Sequence, residues 1–137
     1  MEAPLKLQAA TLGLGSSVRF LGLVANEEVA ALQAAADLFV LSSVLEATPT
    51  VALEALACGT PVVSTDNPGG LELAEIFGPD VAVVPRSDPP ALARAILAHL
   101  AAPRRAAEET GRRIAERFRL DRVAETYLRL YEQVRAT

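Results

Sequence analysis

A short stretch in the middle of the chain, residues 48–51, has the residue types of an anion-binding helix start. Thr48 is followed by Pro49, which predicts a helix whose cap is a threonine hydroxyl and whose first helical residue is proline. The backbone amides of Thr50 and Val51 would then lie at the positive end of this helix. Such an end binds anions, a diphosphate among them, although most capped helices bind nothing.

Two glutamates lie on either side of this stretch. Glu46 precedes the predicted helix, and Glu54 falls on its second turn and points away from its apolar face. A fully helical spacing would separate them by about 12 Å. This separation suits two carboxylates that bind different hydroxyl groups of one extended ligand, and is wide for two carboxylates that share one glycosidic oxygen. By spacing alone, two solvated glutamates are the commoner explanation.

The composition indicates one globular domain and excludes several classes of protein. The chain has 137 residues, of which 51% are hydrophobic and 22% charged. A net charge of −4 argues against a nucleic-acid partner. The one cysteine, Cys58, cannot form an internal disulfide, and no signal peptide or membrane-spanning run is evident, so we expect a cytoplasmic protein. No Cys/His cluster has metal-ligand spacing, so we expect no metal.

Short apolar runs alternate with helical patterns, which predicts an α/β fold with a Rossmann-like parallel sheet flanked by helices. The predicted strands are Val18–Gly22, Leu38–Leu41, Pro61–Ser64 and Val81–Val84. The predicted helices are Pro4–Leu12, Glu27–Ala36, Pro49–Cys58, a short helix that ends near Ile76, Pro90–Ala101, Pro103–Phe118 and Asp121–Arg135.

Ligands of open parallel sheets bind beyond the carboxyl ends of the strands. We therefore expect the site in the segments that follow the first three predicted strands, which are residues 23–26, 42–51 and 65–70. The last of these is predicted to be a turn-rich loop.

The two glutamates and their flanks resemble one protein family. Glu46 and Glu54, separated by seven residues, look like the E-x7-E motif of the retaining GT-B glycosyltransferases that use nucleotide sugars. The segments LEALACGTPVVS, ADLFVLSSVLE, VRFLGLV and YLRLY resemble that family's sequences as well. The resemblance extends from about Gly13 to Tyr131.

The resemblance implies that residues 1–137 are a partial C-terminal, donor-binding domain with a helical tail over about residues 103–137. It implies no cofactor, and a UDP-, GDP- or ADP-sugar as donor. Glu46, the predicted catalytic residue, would contact the sugar hydroxyls, and Glu54 the ribose. The groups that would contact the phosphates, the sugar or the base are the amides around Thr48, Thr50 and Val51, together with Val24 and Asn26.

Some of these assignments have local alternatives. Asn26 is equally well explained as a helix cap. The pair Gly69 and Gly70 resembles glycines near the family's donor, and is equally explained by a turn that needs positive φ. Ala47, Thr48 and Pro49 stand where the family often has Gly-Phe-Gly, which leaves the identity of the sugar open.

The family's acceptor-binding N-terminal domain and the first two strands of its donor domain have no counterpart in these 137 residues. The partners we expect are therefore a nucleotide sugar and the missing domain, and we expect no sugar transfer by the chain alone. The alternatives are a stand-alone nucleotide-sugar-binding module and a GT-B sugar-nucleotide epimerase.

Without those two strands, Val18–Gly22 is expected to pair with Leu38–Leu41 in a four-stranded sheet, or two chains are expected to join along the open edges as a homo-oligomer.

The arginines of residues 104–122 alternate with glutamates, which is typical of a solvated helix face. Peripheral contact with an anionic membrane is a second interpretation of these arginines.

Overall fold

The computed structural model describes residues 2–135, so Met1 and the last two residues of the predicted tail lie outside it. Its strands are β1 (Phe39–Leu41), β2 (Val62–Thr65) and β3 (Val81–Val84). Its helices are α1 (Glu2–Thr11), α2 (Asn26–Ala35), α3 (Thr50–Ala57), α4 (Pro68–Phe77), α5 (Pro89–Ala101), α6 (Glu108–Phe118) and α7 (Leu120–Arg135), with a short 3₁₀ helix at Gly78–Asp80.

The three strands form one parallel sheet in the order β1-β2-β3. The central strand β2 is buried on both faces. Val62 packs in the cluster that contains residues of α3, α4 and α6, and Val63 packs in the cluster that contains residues of α5. The continuous apolar runs of the sequence are explained by this two-sided burial. The predicted α/β fold with a parallel sheet is confirmed.

Helix α3 packs against the sheet through the face that its sequence predicts. Ala52, Leu53 and Leu56 are buried in one cluster with Val62 of β2 and Phe77 of α4. Glu54 is exposed on the other side of the helix. The carboxylate is therefore free to face a ligand while the helix stays anchored in the core.

The prediction of a strand at Val18–Gly22 is wrong. These residues form no strand, and the sheet has three strands, with β1 at one edge. Phe20 is instead half-buried and lies under the ammonium group of Lys6 from α1, 5.8 Å from it. A short apolar run becomes a strand only beside another strand, and this one has no neighbour among residues 2–135. The expected pairing with β1 is therefore absent, whereas association between two chains stays a prediction.

The prediction of a loop over residues 65–70 is also wrong in its second half, because α4 begins at Pro68. Asn67 is the cap of this helix: its side-chain oxygen accepts a hydrogen bond of 2.8 Å from the amide of Gly70. The cap, followed by proline at the first helical position, starts the helix earlier than the apolar periodicity indicates.

A non-helical arginine strap (residues 103–107) replaces the first five residues of the predicted helix at 103–118. Arg104 bonds to the buried carboxylate of Asp80 at 2.6 Å, and the amide of Ala106 donates to the carbonyl of Gly59 at 2.9 Å. Arg105 donates to backbone carbonyls at the ends of α2 and α3, those of Ala34, Ala36 and Cys58. These long-range bonds hold the strap extended.

Asp80 also fixes the start of α6, because it accepts hydrogen bonds from the amide of Ala107 and the hydroxyl of Thr110. Burial raises the pKa of Asp80, but the hydrogen bonds from Thr110, Arg104 and Ala107 lower it by more, so its pKa lies below the usual value. The side chain is 2% exposed, so this charge is a buried anchor between the sheet and α6.

No helix within residues 2–135 is both long enough and apolar enough to cross a membrane.

Candidate functional site

Helix α3 begins at Thr50, one residue later than predicted. Pro49 is the cap residue and Thr50 the first helical residue, and no side chain caps the helix. Thr48 is exposed in the preceding loop, so the predicted threonine cap is wrong. The cause is that the carbonyl of Pro49 already accepts the first hydrogen bonds of the helix, from Ala52 at 3.0 Å and Leu53 at 3.3 Å.

The backbone amides of Thr50 and Val51 donate no hydrogen bond to any group in residues 2–135. Both residues are exposed, so these two N–H groups are open to a ligand at the positive end of the helix.

Glu46 lies in the loop that leads into α3, here called the Glu46 loop (residues 42–49), and is half-buried. Because this loop is not helical, the fully helical separation assumed for the two glutamates does not apply.

The Glu46 loop is held by its backbone carbonyls. The carbonyl of Ser43 accepts hydrogen bonds from the hydroxyl of Thr65 at 2.5 Å and from the side-chain amide of Asn67 at 3.2 Å. The carbonyl of Glu46 accepts one from the amide of Gly69 at 2.9 Å. The loop that positions Glu46 is therefore fixed by the last residue of β2 and by residues that follow this strand.

A third carbonyl of the loop, that of Val44, accepts a hydrogen bond of 3.4 Å from Arg86. Asp66 orients this arginine, because its carboxylate accepts from the amide and the Nε of Arg86 at 2.8 and 2.9 Å. Sequence reasoning missed Asp66 and Arg86. The signal was present, since Asp66 directly follows β2 and Arg86 comes two residues after the end of β3, at the edge of the sheet where sites form.

Gly69 and Gly70 lie in the first turn of α4, and neither has positive φ. The interpretation that they serve a positive-φ turn is therefore wrong. Both are needed for close packing: a Cβ on Gly69 would lie 2.6 Å from the side chain of Pro49, and a Cβ on Gly70 would lie 2.3 Å from the hydroxyl of Ser64. Gly69 thus lets α4 approach the Glu46 loop, and Gly70 lets it approach β2.

A cavity of about 280 Å³ lies between α2 and α3, here called the α2–α3 cavity. Asn26 and Glu54 both line it, so the structure brings together two residues that were predicted to contact one ligand. Val24 is half-buried in the segment before α2 and does not line the cavity. The interpretation of Asn26 as a helix cap is wrong, because Ala25 is the cap residue and no side chain bonds there.

Taken together, these groups can bind an elongated ligand with a negative centre. Two open amides at the positive end of α3 suit an anion. A half-buried carboxylate, that of Glu46, precedes these amides, and an exposed one, that of Glu54, follows them beside a cavity. Carboxylates accept hydrogen bonds from hydroxyl groups, so hydroxylated groups fit at both ends of the ligand.

The chain is similar to several bacterial glycosyltransferases. It is 41% identical to D-inositol 3-phosphate glycosyltransferase of Geodermatophilus obscurus over 134 residues, which are 96% of this chain and 29% of that protein. It is 47% identical to mannosylfructose-phosphate synthase of Agrobacterium fabrum over 74 residues, which are 54% of this chain and 16% of that protein. The chain thus spans less than a third of either relative.

The structure is similar to that of sucrose-phosphate synthase from Thermosynechococcus elongatus, with a TM-score of 0.85 and 32% sequence identity. The match covers 98% of this chain and 34% of that one, and it shows the fold of a GT-B glycosyltransferase. The model of the family described as glycosyl transferases group 1 matches residues 1–118, so the chain belongs to that family.

Proposed function

We propose that this chain is the donor-binding half of a retaining glycosyltransferase, which transfers a hexose-type sugar from a nucleoside diphosphate sugar to an acceptor. The observation that carries the proposal is the N-terminus of α3, where the amides of Thr50 and Val51 are open to solvent between the carboxylates of Glu46 and Glu54. A diphosphate matches this positive end in charge, and a sugar and a ribose match the two carboxylates.

The residues then have separate roles along the donor. Glu46 binds hydroxyl groups of the transferred sugar, and the amides at Thr48, Thr50 and Val51 hold the diphosphate. Glu54 binds the ribose. Val24 and Asn26 approach the base from the start of α2. The carbonyl hydrogen bonds that fix the Glu46 loop support this assignment, because a carboxylate that positions a sugar has to be held in place before the ligand binds.

The chemistry needs no nucleophile from this domain. Negative charge builds up on the leaving diphosphate as its bond to the sugar breaks, and the open amides of α3 are oriented to stabilise that charge. The acceptor hydroxyl oxygen then forms the new bond to the sugar, and its proton passes to the departing diphosphate. We assign the acceptor site to a separate N-terminal domain of the kind that the resemblance implies, and we expect the chain alone to bind donors without transferring sugar.

Titration calorimetry with UDP-, GDP- and ADP-sugars tests the proposal. One of these donors should bind the wild-type chain, and Glu54→Ala should weaken its binding by about 1.5–3 kcal/mol, because a hydrogen bond to a charged group is lost. The matched control is Glu75→Ala, since Glu75 is an exposed glutamate on α4 that does not line the α2–α3 cavity. It should bind like the wild type.

Equal donor affinity of wild type and Glu54→Ala would contradict the ribose role and make Glu54 a solvated side chain. Absence of binding for all three donors would contradict the proposed function itself.

A further inference from the structure

The carbonyls that hold the Glu46 loop differ in how well their hydrogen-bond donors are shielded from water. The donors to the carbonyls of Ser43 and Glu46 belong to buried residues. These residues are Thr65, Asn67 and Gly69. The donor to the carbonyl of Val44 is Arg86, whose side chain is 44% exposed. Water competes for hydrogen bonds at an exposed group, so the main chain at Val44 is held less firmly than the main chain on either side of it.

Arg86 is itself oriented where two strands end. The amide of Asp66 donates a hydrogen bond of 2.8 Å to the carbonyl of Val84, the last residue of β3, which joins the ends of β2 and β3. One carboxylate oxygen of Asp66, Oδ1, accepts from both the amide and the Nε of Arg86, at 2.8 and 2.9 Å. A single atom therefore fixes the backbone and the side chain of this arginine, and Nη1 is left to reach the carbonyl of Val44.

The residues that lead into Glu46 depend on this arginine. The side chains of Val44 and Leu45 are 63% and 78% exposed, so packing does little to fix them. Within residues 2–135, the one hydrogen bond to the main chain of this pair comes from Arg86. Without that bond the segment can move and carry the carboxylate of Glu46 with it. A mobile carboxylate has to be ordered when a ligand binds, which lowers the affinity.

We propose that Arg86 and Asp66 are positioning residues for Glu46. By holding the main chain at Val44, they keep this carboxylate in place for the sugar of the donor. This inference rests on the proposed function, which assigns the sugar to Glu46 and the ribose to Glu54. Helix α3, which carries Glu54, is anchored in the core through its own buried face. Removing the pair should therefore weaken what the sugar adds to donor binding, and leave unchanged what the nucleotide adds.

Calorimetry with UDP-, GDP- and ADP-glucose, and with UDP, GDP and ADP, separates the two contributions. The ratio of the affinity for a sugar nucleotide to the affinity for its own nucleoside diphosphate measures what the sugar adds. For the sugar nucleotide that binds most tightly, Arg86→Met should lower this ratio by about two- to tenfold, because the side chain stays unbranched but loses its guanidinium donors. The affinity for the nucleoside diphosphate should equal that of the wild type. A general loss of stability would instead weaken both ligands and leave the ratio unchanged.

Two substitutions of Asp66 test whether it acts by orienting Arg86. Both hydrogen bonds from Arg86 end at one oxygen, so Asp66→Asn keeps the acceptor and should retain a ratio close to that of the wild type. Asp66→Ala removes the acceptor and should lower the ratio as Arg86→Met does. The matched control is Arg94→Met, which removes the same charge from an exposed position on α5 and should leave the ratio unchanged.

A double substitution tests whether the pair acts through Glu46. Glu46→Ala alone should lower the ratio, because the carboxylate assigned to the sugar is lost. In that background Arg86→Met should cause no further fall, since the group that it positions is already absent. A further fall would overturn the inference, because Arg86 would then act on the sugar without Glu46.

The outcomes distinguish this inference from the proposed function. If a sugar nucleotide binds the wild type but Arg86→Met leaves the ratio unchanged, or if Asp66→Asn lowers it as far as Asp66→Ala does, the inference fails while the proposed function stands. If none of the sugar nucleotides and nucleoside diphosphates binds the wild-type chain, the proposed function fails, and the inference fails with it.

Discussion

Two regions of the chain are rich in leucine and valine, yet only one of them is packed. In the region from β1 to β3 (residues 39–84), Leu56 is fully buried and Val62 is 1% exposed. In the N-terminal region (residues 2–25), Leu7 is 70% exposed and Leu23 fully exposed. Helix α1 buries only Ala9.

The difference teaches that apolar composition indicates burial only where a second element covers the residue. The central region supplies its own cover, because each strand is followed by a helix that returns onto the sheet. The N-terminal region has neither a partner strand nor a covering helix within residues 2–135. Helix α7 is a similar case at the other end of the chain, since it has no buried residue.

The largest expected effect separates the two regions directly. Leu56→Ala should lower the free energy of unfolding by about 2–5 kcal/mol, because it opens a hole in the core of α3 and the sheet. Leu7→Ala, the same substitution in the N-terminal region, should change it by less than about 0.5 kcal/mol. Urea denaturation followed by circular dichroism measures both. A comparable loss in the two variants would show that the N-terminal region is packed in solution.

The next effect concerns the contact between α4 and the strand that precedes it. Gly70→Ala should lower the free energy of unfolding by about 1–3 kcal/mol, because the added methyl group would lie 2.3 Å from the hydroxyl of Ser64 and 2.4 Å from the carbonyl of Thr65. Gly15→Ala is the matched control, since a Cβ at Gly15 meets nothing within 4 Å. In thermal unfolding, Gly70→Ala should have a clearly lower midpoint temperature than Gly15→Ala. Equal midpoint temperatures of unfolding for Gly70→Ala and Gly15→Ala would mean that α4 can shift to accommodate the added methyl group.

The smallest effect is a loss of stabilisation at low pH, and it tests how α6, unlike α1, is anchored. The folded pKa of Asp80 is lowered, so its ionised form stabilises the fold above the unfolded pKa, and this contribution is lost as the pH falls through the folded pKa. The difference in unfolding free energy between wild type and Asp80→Asn should therefore shrink below about pH 4. A difference that stays constant from pH 7 to pH 3 would contradict the anchoring role of the charge.

The parts of the fold that follow from local patterns could be predicted from the sequence. The strands β1 to β3 follow from short continuous apolar runs and the buried face of α3 follows from helical periodicity, and both are confirmed. Other features depend on where distant side chains meet. The arginine strap is extended because of Asp80, and Gln33 lines a cavity because Val51 takes its NH₂ group. Neither partner is identifiable from spacing along the chain.

The candidate site also contains residues that the sequence identifies and residues whose role depends on contacts between distant parts of the chain. Glu46 and Glu54 are singled out by their resemblance to the E-x7-E motif, whereas the groups that hold the Glu46 loop, Asn67 and Arg86, are ordinary polar residues until the strands place them at one edge of the sheet. The residue type of Gly70 predicts a turn with positive φ, whereas the contact that requires a glycine there comes from Ser64 on the preceding strand.

The way in which the Glu46 loop is held also determines which of its positions tolerate substitution. Its neighbours bind the main chain at Ser43, Val44 and Glu46, and every residue type carries the same carbonyl group. Side chains at the exposed positions Leu45, Ala47 and Thr48 can therefore be exchanged without removing any of these bonds. Substitutions at these three positions can therefore change the side chains that the loop presents to solvent, while the hydrogen bonds that hold its main chain stay the same.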